Sequence, residues 1–205
     1  MNQLKSKITI IFLFGILLPK IFIAQLYPND CVNAFNICSN GAISISNSGE
    51  GNVVDFIGYN NDTSNNISNP NFQNNSPWGG VNDGCLGEGE KNSTWMIISV
   101  ESTGILEMSF GAENAQAGYY DWIMWPYSDS ACTAINGNTL PPVRCNWNSS
   151  NSGGTGIADS LPVGADSGNY EPGLNVNCGE KYVICLSNYD GVTANIPIEF
   201  FGNSY

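Results

Sequence analysis

Apolar residues in this chain recur at every second position in short runs. Each run is cut off by Asn, Gly or Pro before a helical repeat can establish itself. Ala42 to Ser46, Val53 to Ile57, Trp95 to Val100, Ile105 to Phe110, Asp121 to Tyr127, Lys181 to Leu186 and Ile196 to Phe201 read as strands. Met96, Ile98 and Val100 share one face, as do Leu106, Met108 and Phe110. Glu101-Ser102-Thr103-Gly104 between those two runs predicts a hairpin. The 29 Asn and 23 Gly make the remainder turn-rich, because both residues are costly in helices. One short helix is expected at Asp30 to Cys38, capped by Asp30, with Ala34, Phe35 and Cys38 inward. The pattern predicts an all-β, antiparallel β-sandwich of jelly-roll type with long Asn/Gly-rich loops over 58–84 and 148–173. Without an internal repeat, one domain is expected over 26–205.

The first residues read as an address. Lys5 and Lys7 precede an apolar run from Ile8 to Leu18, which is too short to span ~30 Å of hydrocarbon as a helix. This predicts a secretory signal peptide over 1–25, cleaved near Ala24 or Gln25, and no transmembrane segment after cleavage. The whole chain has a formal charge of -12; removing the leader leaves Lys91, Arg144 and Lys181 against 18 acids, a net of -15. Such a charge repels phosphate backbones and excludes a nucleic-acid binder. It favours solubility and attracts cations or basic surfaces.

Seven cysteines lie beyond the leader, and an exported protein is expected to bridge most of them. Two pairs cannot close. If extended, Cys178 and Cys185 stand roughly 20 Å apart; if helical, Cys31 and Cys38 stand about 10 Å apart. A bridge needs Cα atoms within about 7 Å. Cys132 and Cys145 flank a turn-rich loop and are the pair expected first, with Cys38 and Cys85 second. Three bridges leave one sulfur, for which Cys185, on a core strand, is the candidate buried thiol.

With no histidine, the chain lacks the usual base for a Ser or Cys nucleophile and any histidine zinc ligand. Glu88, Glu90 and Asp121 are the carboxylates a glycosidase would need, although Glu88-Gly89-Glu90 reads more simply as turn acids. Catalysis is not expected. Calcium needs only oxygen ligands, for which Glu90, Asp121 and Asp190 are candidates. Trp122, Trp125 and Trp147 are candidates for stacking on sugar rings or forming a protein hot spot.

Several blocks in order carry a resemblance: Asp30-Cys31-x-x-Ala34-x-x-x-Cys38, Gly84-Cys85-Leu86, Gly89-Glu90 and Asn92-Ser93-x-Trp95 near the start. Tyr120 to Tyr127, Pro142 to Asn148, Gly168 to Pro172 and Gly179 to Tyr189 follow. Over residues 29 to 203 the chain resembles the N-terminal module of secreted Bacteroidetes surface proteins. In those proteins the module precedes PKD-type repeats and a sorting domain for type IX secretion. The resemblance implies a CUB-like or jelly-roll sandwich in an adhesin-associated, gliding-related setting, and no catalytic set. Together with the absent catalytic residues and the chain's length, it leads to the expectation of an accessory subunit with a protein partner at the cell envelope or surface, the alternative being a carbohydrate-binding module that uses Trp122, Trp125 or Trp147. Here Tyr119-Tyr120 precede a single Asp121 where relatives carry paired acids, and neither repeats nor a sorting domain follow. The expectation is therefore a protein that stays periplasmic or reaches the surface bound to a partner. Ser130 and Ser160, in Asp129-Ser130-Ala131 and Asp159-Ser160-Leu161, resemble the short O-glycosylation acceptor of that phylum.

Overall fold

A computed structural model describes residues 28–45, 49–57, 85–111, 120–148, 154–163 and 165–204; the leader expected at 1–25 lies outside them. Among the described residues, twelve strands, numbered in chain order, form an all-β sandwich. The first sheet runs β1 (Phe35–Ile37), β3 (Thr94–Ser99), β11 (Lys181–Asn188), β6 (Tyr120–Pro126), β7 (Arg144–Asn146). The second runs β2 (Gly41–Ile45), β12 (Ala194–Phe200), β5 (Met108–Phe110), β8 (Thr155–Ile157), β9 (Tyr170–Glu171). A third, small sheet pairs β10 (Leu174–Val176) with β4 (Gly104–Leu106). The β1–β3 and β8–β9 pairs are parallel and the others antiparallel.

Period-two alternation builds the main core as expected. Met96, Ile98, Trp122, Met124, Ile184 and Leu186 of the first sheet meet Met108, Phe110, Ile157, Ile196 and Ile198 of the second. Val100 and Leu106 close the same cluster. At Gly156 the strands approach so closely that a Cβ would fall on the Met108 carbonyl oxygen.

The opposite face of the first sheet is buried as well. Trp95, Ile123, Trp125, Val183 and Cys185 point there into a second core. It is roofed by Cys31, Phe56, Cys85, Leu86 and the short helix α1 (Ala131–Asn136). Trp95 and Trp125 stack with ring centroids 5.5 Å apart, and Phe56 meets Trp125 edge-on at 5.6 Å. With both faces covered, every residue of β11 after Lys181 is buried.

Two disulfides pin the roof. Cys31 is joined to Cys132 on α1, and Cys85 to Cys145 on β7, with Cα separations of 5.6 and 5.9 Å. These bridges mark a chain that matures in an oxidising compartment. They replace both expected pairings, Cys132 with Cys145 and Cys38 with Cys85. The physical reason is the roof: α1 carries Cys132 to the N-terminal segment, while Cys145 faces the second core from β7 beneath Cys85. The near-neighbour pairs stay open as geometry requires, and Cys185 is the buried free thiol.

Three other expectations change. Asp30 to Cys38 forms a single 3₁₀ turn over Cys31–Asn33 and then β1, because Phe35, Asn36 and Ile37 pair with Met96, Ile97 and Ile98. The short helix is α1 instead. Val53 to Ile57 is irregular, its backbone drawn to side chains: Val53 N–H donates to Asp30 and Asp55 N–H to Glu90. No hairpin forms at Glu101–Gly104, since β3 pairs with β1 and β11 while β4 leaves to join β10.

Removing the Cys31–Cys132 bridge as a double serine variant is expected to cost about 2–5 kcal/mol in denaturant unfolding. Peptide mapping without reduction should recover Cys31 linked to Cys132 and Cys85 linked to Cys145. A Cys132–Cys145 peptide would contradict this fold.

Candidate functional site

Three groups of polar residues stand out, two buried and one at a corner of the first sheet.

The first lies under the roof. Asp30, Asp55 and Glu90 are buried, Glu90 with 1% exposure. Asp30 Oδ1 accepts from Asn52 N–H at 2.7 Å and Val53 N–H at 2.9 Å. Asp55 Oδ2 accepts from Cys31 N–H at 2.7 Å. Glu90 Oε2 accepts from Asp55 N–H at 3.0 Å. Each acid thus holds the backbone of a neighbouring loop, so the trio closes the roof without regular structure. Burial pushes the Glu90 carboxyl up to about 9, helped by the nearby Asp55 charge, while Ser93 and Asp55 N–H pull the other way. Proton counting agrees. Ser93 Oγ lies 3.0 Å from both Glu90 Oε1 and Asn29 O, and its single hydrogen cannot serve two acceptors. A proton on Glu90 supplies the second bond. Cys185 lies near the same acids, and burial raises its thiol well above the usual range, leaving it neutral and inert.

The second group crosses the sandwich at one edge. Trp122 Nε1–H donates to Thr155 Oγ1 at 2.9 Å, and Thr155 Oγ1–H in turn reaches Asn169 O at 2.7 Å. Asn146 Nδ2 donates to Gly168 O and Glu171 Oε1. Arg144 reaches the carbonyls of Val143, Pro172 and Gly173. The blocks Pro142 to Asn148 and Gly168 to Pro172 therefore act as a polar seam between the two sheets.

At the corner, Asp121 Oδ1 accepts from Asn148 N–H at 2.7 Å. Burial, and then Asp190, raise the Asp121 carboxyl to about 7 despite that bond. One register place beyond the Trp122–Asn146 pair, Trp147 lies across from Asp121 and is 50% exposed. Tyr189, next to Asp190, is exposed too.

These positions sort the sequence candidates. Trp122 and Trp125 are wholly buried, one in each core, so neither can stack on a ligand; of the three tryptophans only Trp147 faces solvent. Of the calcium candidates, Asp121 and Asp190 are neighbours and Glu90 lies apart from them. The acidic neighbours of Glu90 are Asp55 and Glu50, that of Asp121 is Asp190, and the described residues contain no metal-holding group of three or more His, Cys, Asp or Glu. Glu88 is exposed while Glu90 is buried. Ser130, just before α1, and Ser160 are both exposed. Sequence reasoning overlooked Asp55 as a partner of Glu90, because the two are joined by a backbone contact across 35 residues.

A carboxyl kept neutral in the fold and ionised in the unfolded chain binds its proton more tightly when folded. Its stabilisation is whole below the ordinary carboxylate range and is lost as pH climbs to about 9 for Glu90 and about 7 for Asp121. Unfolding free energy should fall from about pH 5 upward, by at most about 1.4 kcal/mol per pH unit for each group. Glu90→Gln, which keeps a neutral shape, should flatten the fall in urea titrations across that range. Stability rising with pH would contradict the assignment.

No family model and no curated protein matches this chain. Among solved structures it is similar to CorA of Methylomicrobium album BG8, described as a surface-associated copper-binding protein important in copper acquisition. The identity is 9% and the TM-score 0.31, over 82% of this chain and 96% of that one, a likeness too slight to inform fold or function.

Proposed function

We propose that this protein is an exported, non-enzymatic binding module that docks another protein as an accessory subunit of a cell-surface or secretion-linked assembly. The observation that carries this reading is the roof of the first sheet. Two disulfides and three buried acids hold it rigid, yet it presents Val32, Val53, Val54 and Ile57 to solvent, Val32 at 74% exposure. Apolar side chains fixed on a pre-organised frame suit protein docking, because little ordering entropy remains to be lost. The carboxylates nominated for chemistry support the same reading. Glu90 is spent on Asp55 and Ser93, and Asp121 on Asn148. The resemblance to secreted Bacteroidetes modules agrees with it, as do the two disulfides of an exported chain.

A second reading rests on the corner, where exposed Trp147 stands beside Asp121: a shallow carbohydrate-binding site. Ser130 and Ser160, both exposed, are the proposed glycan acceptors.

Tagged protein retrieved from solubilised envelopes should bring down a stoichiometric protein partner. A Val32→Glu, Val54→Glu double variant, folded by circular dichroism, should lose about tenfold or more of that capture. A lone monomer, or capture unaffected by both changes, would sink the docking proposal. Trp147→Ala discriminates the alternative, because it should abolish any glycan-array signal while leaving protein capture intact.

A further inference from the structure

Where β6 runs out at Pro126 and β11 begins at Lys181, the surface opens into a groove of about 470 Å³. Small-molecule sites usually measure about 300–1,000 Å³. Tyr182 and Val143 on its walls pack with the main core and Tyr127 with the second, so the groove straddles the end of the first sheet. Its frame is fixed by backbone bonds from several elements. Tyr127 N–H donates to Lys181 O at 2.8 Å, Val100 N–H to Glu180 O at 2.9 Å, and Gly179 N–H to Val100 O at 2.9 Å. The groove lies at the far end of β6 from Trp147: Tyr127 is six residues beyond Asp121, roughly 20 Å along an extended strand.

Two charged residues follow one another on this frame, and no ion pair joins them. Glu180 Oε2 accepts from Asn177 N–H at 2.9 Å and from Tyr182 O–H at 2.8 Å, while Oε1 accepts from Asn177 Nδ2 at 2.9 Å. The Asn177 side chain, then its N–H, then Tyr182 hold the Glu180 carboxyl below the usual carboxylate range, so it stays ionised and fixed in place. A carboxylate has about four acceptor sites, and with three taken one remains, on Oε1. Lys181 is exposed beside it. Among the described residues Lys91 pairs with Glu50 and Arg144 reaches three carbonyls, which leaves the Lys181 ammonium outside any ion pair. In a chain of 18 acids and 6 cations, that is a donor without a customary acceptor.

We propose that this groove binds a neutral saccharide unit: Tyr127 and Pro126 offer apolar rings to a sugar face, Lys181 donates to one hydroxyl, and Glu180 Oε1 accepts from its neighbour. The class of ligand follows from the lining. One acid and one cation leave no net local charge, and the acidity of the whole chain repels anions. A calcium ion needs six to eight oxygens, far more than the one position open on Glu180. Adjacent hydroxyls satisfy donor and acceptor together, because each hydroxyl both donates and accepts. With ionised partners those bonds are the stronger, charge-assisted kind. The Tyr127 ring, backed by the second core, adds apolar contact on a surface that is already ordered. The inference goes beyond protein docking at the roof and does not depend on it.

The test is saturation-transfer NMR on the full exported protein with the methyl pyranosides of glucose, galactose, mannose and N-acetylglucosamine, followed by a glycan array. At least one neutral saccharide should bind saturably, in the millimolar range or tighter. Tyr127→Ala should weaken that binding about tenfold, and Lys181→Met about fivefold. Tyr127→Phe keeps the ring and should stay within about twofold of the native chain. Lys181 is exposed, so its variant folds and keeps the test decisive if Tyr127→Ala does not. Trp147→Ala should change nothing. Silence across the panel and the array, binding unmoved by Lys181→Met, or loss on Trp147→Ala would each overturn the site. Displacement of the sugar by equimolar glycine would overturn the ligand class, since a zwitterion then satisfies Lys181 and Glu180 better. Protein capture at the roof is read through Val32 and Val54, so the two proposals fail separately.

Discussion

The fold depends on covering the first sheet twice. β6 and β11 carry apolar side chains on both faces, and the second sheet can shelter only one of them. The other face would leave Trp95, Trp125, Ile123 and Val183 in water, at roughly 1.5–3 kcal/mol for each large side chain. A roof is therefore obligatory, and among the described residues it is made of short irregular pieces: a 3₁₀ turn, the loop through Phe56, the loop at Cys85 and one six-residue helix. Such pieces have few backbone hydrogen bonds of their own. Buried carboxylates give them partners, and disulfides remove much of the freedom they would otherwise have when unfolded.

Buried acids are a costly way to organise loops, and their environment shows how that cost is limited. An ionised Glu90 beside Asp55 would place two charges in an apolar setting, whereas a protonated Glu90 leaves one charge and completes the hydrogen bonds around Ser93. The seam through Asn146, Thr155 and Trp122 works with neutral groups and so escapes that cost. The buried acids of the roof and the seam together absorb much of what makes the sequence distinctive. Glu90, Ser93, Arg144, Asn146 and Glu171 are framework in this molecule.

That division explains what could be read in advance. Strands with local alternation, such as Trp95 to Val100 and Lys181 to Leu186, were legible because burial on a pleated sheet imposes its period on neighbouring residues. The roof was not, because its order comes from contacts far apart in sequence: Cys31 with Cys132, Asp55 with Glu90, Asp30 with Asn52 and Val53. The expected helix at Asp30 to Cys38 failed for the same reason. Asp30 has the right identity for a cap, but its carboxylate is already committed to a loop more than twenty residues away. The tryptophans misled in a different way. A strand buried on both faces hides every aromatic it carries, so Trp122 and Trp125 reveal core where alternation alone suggested a half-exposed row. Cys185 was legible because it falls on a strand that is buried on both faces.

The two disulfides interleave along the chain. One spans residues 31 to 132 and the other 85 to 145, so their loops overlap without either enclosing the other. A peptide bond cut anywhere between Cys31 and Cys132 leaves its two fragments tied by the first bridge, and a cut between Cys132 and Cys145 leaves them tied by the second. Across that whole span a protease can nick the backbone once without releasing any part of the molecule. Residues 58–84 fall inside the first of these loops, so a single cut there would still leave a molecule that migrates as one unit until it meets a reductant.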